Sequence, residues 1–376
     1  MRKITLMILS MILFLSSCVQ TFQLEDLGII TSRGVDRADN NDIEITMSVL
    51  QFQANSTKPT IIVSGVGSTI KGAVEDAGKK VSQELVPGKL ELEMYSRELA
   101  EDGLKSYIDT LKRDANIPDT VRLAVTEDNS REILHTQEEH ISTNVGEFLH
   151  GLVQPGAEQR LFPEVSLQKF ARIINDEGID PILPIIGLRE ETPVITGIAL
   201  FKDDKMKGQL PIKDEYYFTI IEGLTQEELI EIEIPTDSVE KYLIHGNGGE
   251  EQLKIVLLIE KGTGDIQLTD KDKLHFDTNI KIELSLLEIS REYKLDDAKA
   301  LKKLEQEIEK VITSRYEEIF SYLKEVNTDV FGYGEKYRIK KKGGKLSDKE
   351  WDKSFPTIHS NFNVNVNIIR HGTVNR

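Results

Sequence analysis

Leu295–Val326 reads LDDAKALKKLEQEIEKVITSRYEEIFSYLKEV, and this stretch decides the fold class. Leu301, Leu304, Ile308, Val311, Ile312, Ile319, Leu323 and Val326 recur at three- and four-residue spacing, a single apolar stripe on a charged helix. Asp296 and Asp297 stand at its start, where the helix dipole favours negative charge. At about 1.5 Å per residue such a helix spans roughly 45–50 Å. A single stripe needs one apolar surface to lie on, and the neighbouring sequence supplies it. Before the helix, Lys254–Glu260, Asp265–Leu268 and Lys273–Ser290 are alternating or apolar runs, with turns expected at Gly262 and Gly264 and at Asp270–Asp272. After it, Phe362–Ile369 alternates apolar residues with asparagines. The expectation is a helix packed across an antiparallel sheet. The alternative, a coiled-coil seam, is interrupted by Arg315.

Working toward the N-terminus, Asp26–Val35 and Asp42–Phe52 alternate in the manner of strands around DRADNN (Asp36–Asn41), which is turn chemistry. A third strand is expected at Thr60–Ser64, then a helix from about Ser68 or Thr69 to about Leu85, and short strands at Lys89–Met94 and Val121–Val125. Helical periodicity returns in Glu138–Leu152 and Leu167–Asn175, and Ile182–Leu188, Thr192–Leu200 and Met206–Leu210 read as strands before a helix near Asp214–Gly223. The fold class is therefore α+β and multi-domain, with mainly antiparallel or mixed sheets and flanking helices. The expected divisions are an N-terminal α/β domain over 18–136, a middle domain or subdomain over 137–224, and a C-terminal α+β domain over 225–376 holding the long helix 295–326.

Residues 1–17 read as a leader. Arg2 and Lys3 precede the apolar run Ile4–Leu15, and Leu15-Ser16-Ser17-Cys18 follows it, the only cysteine of 376 residues. Small residues placed directly before a cysteine resemble a bacterial lipoprotein signal, which makes Cys18 the expected lipidation site. Two acyl chains suffice for stable anchoring without a transmembrane helix. The chain carries 47 basic and 64 acidic residues, a net charge of −17. Such a surface stands off nucleic acid. With Cys18 consumed by lipid, no thiol remains for disulfides or nucleophilic catalysis.

The chemistry-bearing candidates are few. Gly65-Val66-Gly67 before a helix could cradle a phosphate, but no Gly-Lys-Ser/Thr follows, and a capped turn explains it as well. His135, His140 and His150 lack metal-ligand spacing. No Ser-His-Asp signature or paired-carboxylate spacing emerges. No cofactor is expected, and the chain reads as non-enzymatic. Lys336, Arg338, Lys340, Lys341, Lys342 and Lys345 form the one concentrated basic stretch, an expected contact with anionic headgroups or an acidic partner. Trp351 and Phe355 just beyond are expected core anchors.

Several stretches carry a family resemblance: LGII…GVD (Leu27–Asp36), SRELAEDGLKSYIDTLKRD (Ser96–Asp114), VRLAVTEDNSREIL (Val121–Leu134), GIDPILPIIGL (Gly178–Leu188), ITGIALFKDDKMKGQL (Ile195–Leu210), NTDVFGYGEKY (Asn327–Tyr337) and FNVNVNIIRHG (Phe362–Gly372). In this order they resemble the spore germinant receptor C-subunit, or Ger(x)C, lipoproteins, over nearly the whole chain. One departure is Val19-Gln20-Thr21-Phe22, where family members often carry a tryptophan and charges. The resemblance implies a non-catalytic subunit, lipid-anchored through Cys18 to the outer face of the cytoplasmic membrane (the inner membrane of the spore). It also implies assembly with two integral-membrane receptor subunits and a requirement in nutrient-triggered germination. The rival from another class is a solute-binding lipoprotein of an importer, which would need two similar α/β lobes with parallel sheets.

Overall fold

The computed structural model describes residues 23–52, 59–136, 141, 144–154, 162–163, 165–223, 227–244 and 251–371. The leader and Cys18 lie outside these residues, as does His140. Strands β1 (Leu27–Arg37) and β2 (Ile43–Gln51) form the expected hairpin, and β3 (Thr60–Gly67) pairs antiparallel with β2. Asn40 and Asn41 turn the hairpin with φ of 59° and 63°, which asparagine tolerates because its short side chain bonds locally. Helix α1 (Ile70–Gly78) is capped by Thr69, whose Oγ1 accepts from the Gly72 N–H at 3.1 Å.

Two expectations fail here. The helix ends at Gly78 rather than near Leu85, because β4 (Glu84–Val86) pairs in parallel with β1. Gly65 and Gly67 belong to β3 and not to a turn. A Cβ on Gly65 would lie 2.2 Å from the Ala73 carbonyl oxygen, and one on Gly67 would lie 2.6 Å from the Ala73 nitrogen. The glycines let α1 lie directly on the strand.

The chain continues through β5 (Leu92–Ser96), α2 (Arg97–Asp102), α3 (Lys105–Arg113), β6 (Arg122–Thr126), α4 (Ser130–Leu134), α5 (Val145–Val153), α6 (Leu167–Ile173), β7 (Ile182–Arg189), β8 (Thr192–Lys202) and β9 (Lys205–Pro211). These strands form one nine-stranded sheet, ordered β3-β2-β1-β5-β6-β7-β8-β9 with β4 beside β1. Its centre, β1-β5-β6-β7, is parallel, and both flanks are antiparallel. A parallel centre must be covered on both faces, which explains why Leu92–Ser96 is buried at every position. One face joins the main core, and the other packs Leu92, Met94, Ala124 and Ile186 against Ile133, Val145 and Leu149. Residues 137–224 carry no separate sheet among the described residues: β7, β8 and β9 prolong the first one.

Helix α7 (Glu215–Glu222) leads into a second sheet, ordered β10 (Glu228–Pro235), β11 (Gln252–Asp270), β12 (His275–Ile289) and β13 (His359–His371). Strand β10 falls where no strand is expected above, although Ile230, Ile232 and Ile234 alternate with Glu231 and Glu233. Nor does the chain turn at Gly262 and Gly264. β11 is one 19-residue strand, and its irregularities are bulges near Val256, Ile259 and Leu268. A Cβ on Gly264 would lie 2.7 Å from the Ile221 Cα, so this glycine admits α7 rather than a bend.

β12 and β13 are parallel, joined by α8 (Ala298–Val326), α9 (Tyr333–Lys340) and α10 (Asp348–Ser354). Helix α8 lies on the sheet as expected, burying Leu304, Ile308, Ile312, Tyr316, Ile319, Phe320 and Leu323. Each such side chain contributes ~1.5–3 kcal/mol of transfer free energy. Arg315 does not face a second helix: its Nε donates to Asp214 Oδ1 at 3.0 Å and its Nη1 to Glu318 at 2.6 Å. The two sheets differ in strand number and topology, unlike the paired lobes of a solute-binding protein. No helix among the described residues is long and apolar enough to cross a membrane.

Candidate functional site

Stretches far apart in the chain meet in two places. In the first, Gly34-Val35-Asp36 on β1 meets the start of α4. Asp36 accepts from the Ser130 N–H at 2.7 Å, the Ser130 hydroxyl at 2.9 Å and the Arg131 N–H at 3.0 Å, capping the helix from another element. Gly34 makes room for it, since a Cβ there would lie 2.1 Å from Ser130 Oγ. Burial raises the Asp36 pKa against the pull of these donors.

The second meeting joins the two sheets. The backbone of Asp180, entering β7, exchanges bonds with the loop after α8: its N–H reaches the Asp329 carbonyl at 3.0 Å, and its Oδ2 accepts from the Asp329 N–H at 2.8 Å. Gly178 (φ 92°) and Gly334 touch backbone to backbone, and a Cβ on Gly178 would lie 2.4 Å from the Gly334 carbonyl carbon. Only glycine suits both the positive φ and the approach. Below them the buried Asp329 carboxylate accepts four N–H groups: Gly332 and Tyr333 at 3.0 Å, Gly334 at 2.7 Å and Trp351 Nε1 at 2.8 Å. Burial, with the Asp180 charge adding to it, pushes Asp329 up to about 7 against the lowering by those donors. Lys202 bridges Asp180 at 3.3 Å and Asp352 at 2.6 Å, and its pKa is raised because these carboxylates outweigh its burial. Trp351 and Phe355 are core residues as expected, each 1% exposed.

This junction fixes α9 and divides the basic stretch. Arg338 pairs with Asp176 at 2.6 Å, Leu346 N–H reaches Glu177 at 3.2 Å, and Lys341 donates to Glu350 at 2.6 Å. Tyr337 stacks on Trp351 with ring centroids 5.6 Å apart. Lys336 and Lys340 occupy the opposite side of the helix, exposed together with Lys342 and Lys345 in the following loop. Ile339 stands among them at 71% exposure, the most exposed large apolar side chain among the described residues. Of the six cations, two are thus spent inside the fold and four face solvent around one aliphatic side chain. The sequence showed the charge run but not this division, which depends on Asp176 and Glu350.

Other clusters are structural. Arg33 and Glu93, paired across β1 and β5, form a bidentate ion pair at 2.6 and 3.0 Å with Tyr95 donating to the same carboxylate at 3.3 Å, all inside the first sheet. His150 Nδ1 lies 3.4 Å from Glu91, and no group of three metal-ligating side chains occurs among the described residues.

Both halves of the chain match family models: residues 21–188 the spore germination protein N-terminal domain, and residues 196–372 the spore germination B3/GerAC-like C-terminal domain. The chain is 22% identical to spore germination protein GerQC of Bacillus cereus over 375 residues, covering 99% of each. It is 22% identical to spore germination protein KC of Bacillus subtilis (strain 168), covering 93% of this chain and 90% of the relative. The crystal structure of the GerBC protein shares the fold, with a TM-score of 0.58 at 14% identity over 90% of this chain and 97% of that one. Both family models describe spore germination proteins, and together they span nearly the whole chain. The chain belongs to the GerAC-like family of spore germination proteins, the C-subunits of germinant receptors.

Proposed function

We propose that this chain is a non-catalytic, membrane-anchored subunit of a nutrient germinant receptor. In this reading a lipid on Cys18 holds the folded body on the outer face of the cytoplasmic membrane, the inner membrane of the spore. There the body docks on two integral-membrane receptor subunits. Supporting it most directly is the match of both halves of the chain, in order, to spore germination families. The fold adds physical sense: the GVD, GIDP and TDVFGYG stretches that carry the resemblance are the ones that build the two long-range junctions. The outward cations of α9 and its loop, Lys336, Lys340, Lys342 and Lys345, then serve as a second contact with the anionic headgroups, each lysine near the surface adding ~1 kcal/mol. Arg338 and Lys341, already paired, orient that surface rather than touch the membrane.

The anchor is tested by Cys18→Ala. The expected outcome is loss of lipid labelling, release of the protein from the membrane fraction, and impaired nutrient-triggered germination with normal sporulation. A variant that stays in the membrane fraction at wild-type level would show that protein contacts, not lipid, hold the body there.

A further inference from the structure

The two edges of the second sheet are treated differently. On β13 the outward N–H groups of Val366 and Ile368 are taken by Glu309 and Glu305 of α8, at 3.0 and 2.9 Å. Those carboxylates close that part of the edge to any incoming strand, one of the ways proteins protect unpaired edges. Among the described residues β10, at the other end of the sheet, pairs only with β11. Alternate residues of an antiparallel edge strand send N–H and C=O outward. On β10 these groups border a groove of about 850 Å³ whose far wall is the segment Ile212–Tyr217 and whose floor holds Val311 and Arg315 of α8.

The groove is acidic. Glu231 and Glu233 rise from the strand, exposed, and Glu228 and Glu215 face one another at its end. Glu215 is 1% exposed, and its Oε1 is buried without a hydrogen-bond partner. Arg315 supplies no free charge, because it pairs with Asp214 and Glu318. Lys213 is the remaining cation of the lining. Leu229, at the mouth, is 62% exposed.

We infer that the outer edge of β10 is a docking site for an extended segment of a partner protein, which adds as a fifth strand and sets lysine or arginine side chains against Glu231 and Glu233. An open edge gives main-chain affinity, and alternate side chains give specificity. The six residues Glu228–Glu233 along the groove span about 20 Å, a segment of six or seven residues. A second copy of this chain is a poor occupant, since pairing β10 with itself would bring two acidic walls together.

The test uses the full chain and three fluorescein-labelled octapeptides: alternating lysine–valine, alternating glutamate–valine, and the lysine–valine peptide with two prolines at alternate positions. Fluorescence anisotropy should detect binding of the first only, and hydrogen–deuterium exchange should show new protection in 228–234 with none in 359–371. The double variant Glu231→Lys/Glu233→Lys, which alters only exposed side chains, should weaken that binding at least tenfold. Four results overturn the inference: no binding at millimolar peptide; equal binding of the proline peptide, which would mean charge attraction without a strand; binding indifferent to the substitutions; or β10 already protected in a free protein that sediments as a dimer.

Discussion

Asp329 and Glu215 are both carboxylates buried in the C-terminal half, and they are buried in opposite ways. Asp329 is surrounded by four N–H donors from a tight loop and an indole. Glu215 faces another carboxylate, and one of its oxygens has no partner. A buried carboxylate that is fully solvated by N–H groups is part of the architecture, because removing it strands every donor. One without donors is tolerated only by holding a proton. Burial and the Glu228 charge push Glu215 up to about 10.

The contrast can be broken most forcefully at Asp329. Asp329→Ala leaves the buried N–H groups of Tyr333, Gly334 and Trp351 unpaired, and its expected cost is ~3–5 kcal/mol, read as a lower urea midpoint with the far-UV spectrum retained at low denaturant. A loss below about 1 kcal/mol would show that the junction does not depend on the carboxylate. At Glu215 the expected effect is a slope rather than a loss. A folded pKa raised above the unfolded value means that the native state holds a proton the unfolded chain has given up. Stability from this group is therefore fully present below the ordinary carboxylate range near 4.5 and is lost as pH rises through about 10. Glu215→Gln removes the titration, so the denaturation midpoint of the variant should fall less than that of the wild type between pH 6 and 9. Parallel curves would mean that Glu215 titrates normally.

The smallest effect is expected at the surface held by the junction. Lys340→Glu/Lys342→Glu should leave the melting temperature unchanged and weaken sedimentation with phosphatidylglycerol vesicles roughly tenfold at low salt. Unchanged, salt-independent binding would remove the membrane contact and leave an acidic protein partner as the occupant of the basic surface.

Much of this was readable from residues alone where period and turn chemistry agree. The β1–β2 hairpin, the β8–β9 hairpin and the stripe of α8 follow from alternation and three-four spacing, and Thr69 and Asp297 are caps at the helix starts. The glycines misled. Gly65, Gly67 and Gly264 look like punctuation in the sequence, yet each lies within a strand and exists because another element passes close by. Close approach is a tertiary property, invisible to local pattern. For the same reason Asp329 could be noticed only as an aspartate flanked by Gly332 and Gly334, and Glu215 not at all. The basic stretch was legible, but which of its cations are free was decided by Glu350 and by Asp176, the latter more than a hundred positions earlier.

The parallel pairing of β12 with β13 carries a consequence for biogenesis. These strands are neighbours in the sheet, yet everything from the end of 275–289 to the start of 359–371 must be synthesised between them. During that interval β12 has an open flank, and the carboxylates of Glu305 and Glu309 have no strand to meet. Long-range pairing of this kind is slow, because loop-closure entropy is lost before the contacts form. The second sheet is thus the half of the molecule slowest to close, and the half in which a C-terminal truncation removes the least sequence for the greatest loss of structure.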